Sequence, residues 1–200
     1  MRLTFFVIVQ LTAMISSGQK NLELGDVITD TTFNCSDSLH RKFSDRMFNV
    51  PDICDSKNNL EIRLKGFSFP GGKGELIIFS NKDGKWDAKK YTTGGGALGP
   101  KLTVISFTLP EWNDVSVEKV CTYFLDHLIE NHVFLLPDQS ELKHEQNVLD
   151  GALFILSFKW GKLFRGYSYN NPVSYLEQHP DSKEYVYVIE IIKTLRGIFE

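Results

Sequence analysis

Apolar and polar positions alternate along the middle of the chain, beginning at residue 60. The stretch LEIRLKGFSF separates two faces: Leu60, Ile62 and Leu64 on one, and Glu61, Arg63 and Lys65 on the other. Alternation with a period of two is typical of a strand that buries one face. The stretches ELIIFS, WDAKKYTT and KLTVISFTL predict three more strands, and Asp83-Gly84 predicts a hairpin turn. Because short turns join these strands, we expect neighbouring strands to be antiparallel.

The pattern changes to that of a helix over residues 116–132. Apolar residues recur there at helical spacing: Val117, Val120, Cys121, Phe124, Leu125, Leu128 and Ile129. They predict an amphipathic helix that packs its apolar stripe on the sheet, with Ser116 as a suitable N-cap. Near the C-terminus, Asn171 followed by Pro172 predicts the start of a short helix. A last helix is predicted over residues 182–198, with these side chains buried: Tyr185, Val188, Ile189, Ile192 and Leu195.

Two further strands are predicted between the helices. The stretch ALFILSFKWGKLFRGYSY, residues 152–169, indicates a hairpin that turns at Trp160-Gly161-Lys162. The order is therefore four strands, a helix, two strands and helices. This order favours an α+β fold: a mainly antiparallel sheet of about six strands, a four-strand meander followed by a hairpin, with helices packed on one face. Residues 59–200 would form this single domain, and residues 19–58 an irregular N-terminal arm.

The first 18 residues have the pattern of a secretory signal peptide. The stretch MRLTFFVIVQLTAMISSG begins with a positive charge at Arg2, continues with a mostly apolar run, and ends with the small Ser16 and Gly18. We therefore expect cleavage near Gly18 and export to the periplasm or the extracellular space. An uncleaved amphipathic segment is the alternative. The apolar run is shorter than the roughly 18 residues of a membrane span.

Cysteine usage agrees with an exported protein, and the overall charge argues against binding to nucleic acid. Cys35 and Cys54 lie in a polar, loop-rich segment, where a disulfide between them would add stability outside the cytoplasm. Free thiols at these two positions are the alternative. Cys121 falls on the apolar stripe of the predicted helix, where a thiol behaves as a small hydrophobic group. The formal charge of −3 gives no basis for binding nucleic acid, which needs a basic surface.

The glycine-rich stretch TTGGGALGPK, residues 92–101, is the part of the chain closest to a phosphate-binding loop. Gly94 and Gly99 have the spacing of such a loop, but Pro100 occupies the position of its lysine. A strand-like sequence follows, whereas a phosphate loop leads into a helix. The stretch is therefore predicted to be a turn.

No residue pattern in the chain points to a metal, a cofactor or a catalytic group. His127 and His132 are five residues apart on one predicted helix, which separates them by about 140° around the helix axis. The zinc motif of a helical metalloprotease and the serine elbow of a hydrolase are both absent. We therefore expect no cofactor, no metal ligands and no catalytic residues.

The strand LFRGYSY offers the best candidates for binding. It places Arg165, Tyr167 and Tyr169 on one face, with Trp160 at the turn and Asp150 before the preceding strand. These residues could form a recognition surface, because arginine and tyrosine combine flat apolar area with hydrogen bonding. The alternative is a set of cross-strand pairs on the outer face of the sheet, each contributing about 0.2–1 kcal/mol of stability. Asp150-Gly151 also fits a plain turn.

Four phrases carry a resemblance to a known group of proteins: FLLPDQSEL, VLDGALFIL, RGYSYNNP and VIEIIKTLRGIFE. Together they resemble a family of uncharacterised exported proteins of Bacteroidetes-type bacteria, over about residues 59–200. The resemblance implies a location in the bacterial envelope. It implies no activity, cofactor or catalytic residue.

The sequence favours an exported, non-enzymatic module that binds an envelope protein or a glycan through the exposed face of its sheet. The motivating feature is the Arg-Tyr strand in a chain that lacks a catalytic signature. An exported hydrolase with a site built from loops is the alternative, with Asp150, Arg165, Tyr167 and Tyr169 as its candidate residues. A small domain that assembles with copies of itself is a third interpretation, because the sequence does not determine the oligomeric state.

Overall fold

A computed structural model describes residues 48–68, 73–94, 101–108, 115–143, 151–161 and 163–199 of the 200-residue chain. All of these residues belong to one compact unit. The predicted signal peptide and the predicted arm up to residue 47 lie outside the described residues. Their cleavage and conformation remain predictions.

The strands form one antiparallel sheet. Their bounds are β1 Leu60–Ser68, β2 Lys73–Lys82, β3 Lys85–Gly94, β4 Lys101–Thr108, β5 Ala152–Trp160 and β6 Leu163–Asn170. The spatial order is β4-β3-β2-β1-β5-β6, and every neighbouring pair is antiparallel. The predicted class, α+β with an antiparallel sheet, is confirmed.

The turn between β2 and β3 forms at the predicted dipeptide. Asp83 and Gly84 both have positive φ, at 52° and 81°, as the tight turn of a right-twisted hairpin requires. After β3 ends at Gly94, β4 begins at Lys101 and pairs antiparallel with it. The glycine-rich stretch therefore leads from strand to strand. Residues 95–100 themselves lie outside the described part of the chain.

Three helices are described: α1 Val115–Glu130, α2 Pro172–Gln178 and α3 Lys183–Gly197. Helix α1 begins one residue before Ser116, so the prediction of Ser116 as its N-cap is wrong. In α3, Ile191 is fully buried, whereas Ile189 is only partly buried. Burial of Ile189 was therefore predicted wrongly, because a 3.6-residue period places positions 188, 191, 192 and 195 on one face.

Side chains of β1 alternate between two faces of the sheet. Leu60, Ile62 and Leu64 share the main core with buried residues of all three helices, for example Leu128, Tyr175 and Val188. We call this side the helix face. On the opposite face a smaller core contains Phe48, Leu76 and Ile78, and the half-buried Val50, Phe67 and Tyr91 pack against it.

The charged residues of β1 lie under this second cover. Glu61, Arg63 and Lys65 are only 2–3% exposed, although the alternating pattern predicted a solvent-facing side. That prediction is wrong because residues 48–57 cross the opposite face and bury it. We call Glu61, Arg63 and Lys65 the polar row.

Asn171 joins the end of β6 to the start of α2, at the N-cap position that the sequence predicts. It has a left-handed conformation, with φ of 46°. Its side chain caps no helix amide; instead its Oδ1 accepts a hydrogen bond from the backbone N–H of Ala152 at 2.6 Å. This contact ties the first residue of β5 to the residue that follows β6.

Among the described helices, none is long and apolar enough to cross a membrane.

Candidate functional site

Arg165, Tyr167 and Tyr169 share one face of β6, as the sequence predicts, and we call them the Arg-Tyr row. That face is the helix face: Tyr167 is 2% exposed and Tyr169 is fully buried. The interpretation that these tyrosines lie on an exposed face of the sheet is therefore wrong. Alternation along a strand assigns residues to a common face, but it does not reveal which face the rest of the chain covers.

The Arg-Tyr row binds a segment of the same chain, residues 133–137, which we call the covering segment. The hydroxyl of Tyr167 donates to the carbonyl oxygen of Val133 at 2.8 Å. The hydroxyl of Tyr169 donates to the carbonyl oxygen of Pro137 at 2.9 Å.

Arg165 adds two hydrogen bonds to the same segment. Its guanidinium donates to the carbonyl oxygens of Phe134 at 3.3 Å and Leu136 at 2.7 Å. The row thus satisfies four main-chain acceptors, all but that of Leu135, in a five-residue segment that belongs to no strand. Buried carbonyl groups need such partners, and here side chains supply them.

The covering segment follows directly from the end of α1. His132 has a positive φ of 55°, and the N–H of Val133 donates to the carbonyl of Leu128 at 3.0 Å. A left-handed residue followed by a backward hydrogen bond is a common way to end a helix. The chain leaves α1 at this point and passes over β6.

Of the other two candidates, Trp160 lies next to the covering segment. Trp160 is half-buried, and its ring centroid lies 5.7 Å from that of Phe134 in the covering segment. Phe134 also packs edge-on against Phe158 at 4.7 Å. Trp160 therefore takes part in holding the covering segment. Asp150 lies outside the described residues, and its role stays a prediction.

Beyond the covering segment, Asp138 and Gln139 lie along the outer edge of β6. One carboxylate oxygen of Asp138 accepts hydrogen bonds from the backbone N–H and the hydroxyl of Ser168, at 2.7 and 2.9 Å. The other accepts from the N–H and the hydroxyl of Ser140, at 3.0 and 2.6 Å. Burial opposes ionisation of Asp138, but these hydrogen bonds outweigh it and hold its pKa below the usual value.

On the opposite face, the polar row holds a second irregular segment. Arg63 donates to Glu61 Oε1 from its Nε at 2.6 Å and to the carbonyl oxygen of Pro51 at 2.8 Å. The other oxygen of Glu61 accepts from the hydroxyl of Ser56 and from the side-chain amide of Asn58. A buried carboxylate and guanidinium are stable in this place because each is paired and hydrogen-bonded.

Lys159 of β5 fastens the same segment. Its ammonium group donates to the carbonyl oxygens of Cys54, at 3.2 Å, and of Ser56. Cys54 takes part in a disulfide, whereas Cys121 is a free, buried cysteine. Cys35, the partner that the sequence proposes for Cys54, lies outside the described residues, so the pairing itself stays a prediction.

Burial shifts the pKa of two tyrosines in the Arg-Tyr row and of one cysteine on α1. Burial raises the pKa of Tyr167 well above its usual value and also raises that of Tyr169, so both hydroxyls remain neutral donors. Burial likewise raises the pKa of the Cys121 thiol to about 11, which keeps it protonated and unreactive. In both clusters, the donors of the arginine, lysine and tyrosine side chains bind main-chain carbonyl oxygens of the same chain.

Helix α1 carries the most exposed large hydrophobic side chain among the described residues, Tyr123, which is 60% exposed. Its ring meets His127 edge-on, with centroids 5.2 Å apart, and Phe124 at 6.0 Å. Cys121 and Leu128 of the same helix are buried. Tyr123 was not among the residues predicted to bind, although an aromatic residue off the apolar stripe of an amphipathic helix is a signal for an exposed ring.

Two other groups of residues were also missed. The polar row was assigned to solvent, because no local signal shows that residues 48–57 cover it. Asp138 and Glu141 form a capping box around the 3-10 helix Gln139–Glu141, and their spacing, with an acid three residues after the cap, is a sequence signal that could have identified them. Among the described residues, no three His, Cys, Asp or Glu side chains are grouped in a way that could hold a metal ion.

Comparisons with known proteins give no relative: no protein-family model, no curated protein and no solved structure matches this chain.

Proposed function

We propose that this protein is an exported, non-enzymatic module of the bacterial envelope that binds an envelope protein or a glycan. Cleavage near Gly18 would release the mature chain. The mature domain would carry the sheet of about six strands that the sequence predicts, a four-strand meander and a hairpin, with helices on one face.

Export is supported by two features of the chain. Residues 1–18 have the charge, the apolar run and the small residues of a signal peptide. Cys54 is disulfide-bonded, and disulfides persist mainly in oxidising compartments. The resemblance to exported Bacteroidetes proteins points to the same location.

A binding role is favoured over catalysis because the polar clusters of the sheet already have structural partners. The Arg-Tyr row holds the covering segment, and the polar row holds residues 51–58. We therefore place the candidate binding surface on the outer side of α1 and not on the sheet.

The observation that carries the proposal is the exposed ring of Tyr123, 60% accessible, with His127 against it. Exposed aromatic rings with a polar tip are enriched where proteins bind partners, because they combine apolar area with hydrogen bonding. A flat ring of this kind can pack on a sugar or on an apolar side chain. We propose that Tyr123 and His127 form the centre of the binding surface.

Export is tested by expressing the full chain with its own N-terminus in a Bacteroidetes host. Intact mass of the protein recovered from the envelope should match a chain that begins at Gln19. Mass with alkylation, before and after reduction, should show one disulfide and one free cysteine. A protein that retains Met1 would contradict the proposal.

Binding is tested with the Tyr123→Ala/His127→Ala variant against arrays of envelope glycans and against envelope extract, with bound proteins identified by mass spectrometry. The matched control is Val173→Ala, which removes an exposed apolar side chain from α2. We expect the double variant to lose the partner that the wild type and the control both retain. Equal retention by all three proteins would remove Tyr123 from the proposed site.

A further inference from the structure

Four side chains form a row across the helix face of the sheet, at the end where β2 turns into β3. Asn81 of β2 is paired with Trp86 of β3 and with Leu60 of β1. Leu60 is in turn paired with Trp160 of β5. Paired residues of an antiparallel sheet share a face, and Leu60 belongs to the main core, so the row lies on the helix face. We call these four residues the Trp-Asn row.

The amide group of Asn81 is buried, and only one of its two ends is bound. Asn81 is 6% exposed, and its Oδ1 accepts a hydrogen bond from the backbone N–H of Gly84 at 3.3 Å. Because a backbone N–H only donates, the atom that faces Gly84 is the oxygen, and the other end of the amide is the donor Nδ2. Nδ2 is buried and has no hydrogen-bond partner among the described residues. Buried donors nearly always have an acceptor, so Asn81 differs from the polar clusters that hold segments of the chain.

Two tryptophan rings lie on either side of this donor. Trp86 and Trp160 are both half-buried. The ring of Trp86 stacks on Phe79, with centroids 4.7 Å apart and an interplanar angle of 17°, and Trp160 is tilted against Phe134. Three inter-strand steps separate the two tryptophans, which corresponds to about 14 Å between their Cα atoms. The row therefore presents two partly accessible flat rings with a buried donor between them.

The turns beside the row are open. A Cβ placed on Gly84 or on Gly161 would meet no atom of the described residues within 4 Å. Asn59 ties the two turns together: its Oδ1 accepts from the N–H of Asp83 at 3.3 Å, and its carbonyl oxygen accepts from the N–H of Gly161 at 2.9 Å. This end of the sheet is thus held in place by hydrogen bonds while the backbone of both turns stays accessible.

We propose that the Trp-Asn row is a binding site for a neutral sugar chain. The indole rings of Trp86 and Trp160 pack on sugar rings, and Nδ2 of Asn81 donates a hydrogen bond to a sugar oxygen. The proposal goes beyond the proposed function, because it concerns a surface other than the outer side of α1 and requires nothing from Tyr123. It also gives a binding role to Trp160, which the sequence predicts as a candidate.

The chemistry of the row favours a sugar over a peptide. None of its four side chains is ionised. An indole N–H is a donor only, and the one acceptor of the row, Oδ1 of Asn81, is bound to Gly84. A peptide would find no acceptor here for its N–H groups. A sugar hydroxyl accepts from Nδ2 and turns its own hydrogen to water, and the apolar faces of sugar rings pack on aromatic side chains.

The test applies the full-length protein to an array of neutral oligosaccharides, followed by NMR titration with the oligosaccharide that binds best. On binding, the side-chain amide signal of Asn81 and the indole N–H signals of Trp86 and Trp160 should shift. Asn81→Asp keeps an acceptor for Gly84 but removes the donor, so binding should weaken by about tenfold, as expected for one lost hydrogen bond at a buried site. Trp160→Leu should weaken binding at least as much, because it removes a flat ring.

The matched control is Asn59→Asp. It makes the same chemical change at the same end of the sheet and keeps an acceptor for Asp83, but it alters an exposed side chain outside the row. This variant should bind like the wild type. The Tyr123→Ala/His127→Ala variant should also keep this binding, which separates a failure of the Trp-Asn row from a failure of the site on α1. If circular dichroism shows that Asn81→Asp does not fold, Trp160→Leu and the wild-type titration decide the question.

Any one of four results would overturn the proposal. The first is a folded wild type that binds no oligosaccharide on the array. The second is equal binding by the wild type and by folded Asn81→Asp and Trp160→Leu. The third is a loss of binding in Tyr123→Ala/His127→Ala alone. The fourth is an NMR contact in the free protein that shows Nδ2 of Asn81 donating to an acceptor within residues 109–114 of its own chain.

Discussion

The hydroxyl of Tyr167 donates a 2.8 Å hydrogen bond to the carbonyl oxygen of Val133, thirty-four residues earlier in the chain. Tyr167 is almost fully buried in the middle of β6, and Val133 follows the end of α1. The bond therefore joins the sheet to the segment that leaves the first helix, inside the core.

Replacing Tyr167 with phenylalanine should destabilise the protein although it removes only one oxygen atom. The carbonyl of Val133 would lose its buried partner, which costs about 1–3 kcal/mol in the free energy of unfolding. Urea denaturation measures this difference. The matched control is Tyr123→Phe, at an exposed ring, where the change should be below about 0.5 kcal/mol. Equal effects at both positions would mean that the Tyr167 hydroxyl does not support the covering segment.

The buried pair Glu61 and Arg63 should show strong coupling in a double-mutant cycle. Both side chains are 3% exposed, so Glu61→Leu alone leaves a guanidinium without its carboxylate and should cost about 3–5 kcal/mol. The double change to leucine should cost clearly less than the sum of the single changes. The half-exposed pair Asp87 and Lys89 provides the comparison, and its coupling should stay below about 1 kcal/mol. Additive effects at Glu61 and Arg63 would argue against a paired, buried row.

Gly151→Ala should be among the most damaging single substitutions in the described chain. Gly151 has a φ of 142°, and a Cβ there would lie 1.6 Å from Oδ1 of Asn171. Asn171 would have to give up its bond to Ala152, so we expect a loss of about 2–4 kcal/mol from the clash and the backbone strain. Gly94→Ala, where a Cβ meets nothing within 4 Å, is the control. Thermal unfolding of the two variants should differ by well over 5 °C, on the order expected for such a loss.

Asp138 should contribute to the acid sensitivity of the fold. Its pKa is lowered in the folded state by hydrogen bonds from Ser140 and Ser168, against the effect of burial. A carboxylate with a lowered pKa stabilises the folded state above its unfolded pKa of about 3.9, and this contribution is lost as the pH falls through the folded pKa. Asp138→Asn should therefore flatten the dependence of unfolding free energy on pH below about pH 4. If the free energy of unfolding depends on pH in the same way in Asp138→Asn and in the wild type below about pH 4, the carboxylate is not held by Ser140 and Ser168.

The strands and helices follow from local signals in the sequence. The Asp83-Gly84 turn, the hairpin around Gly161 and the start of α2 at Pro172 all lie where turn and cap residues place them. These features depend on near neighbours, so a single sequence is enough to locate them. The errors are also local: the start of α1 was predicted two residues too late, and Ile189 was chosen over Ile191 as a buried residue of α3.

What covers each face of the sheet could not be predicted in the same way. Alternation correctly grouped Arg165 with Tyr167 on a common face of the sheet. It also correctly grouped Glu61 with Arg63 on a common face, which is the opposite one. The covers, however, come from residues 133–137 and 48–57, which have no regular period. Their positions depend on contacts between residues far apart in the chain, such as Lys159 and Cys54, and no local pattern reports such contacts.

The covering segment is held through its main-chain oxygens, and every amino acid has that atom. The identity of its residues is therefore weakly constrained by these four bonds, whereas Arg165, Tyr167 and Tyr169 each supply a donor that few other residues can replace. Substitution along this segment is limited by side-chain packing and not by the anchors: Val133 and Leu136 are buried in the main core, whereas Leu135 and Pro137 are only partly buried and should accept other residues more readily.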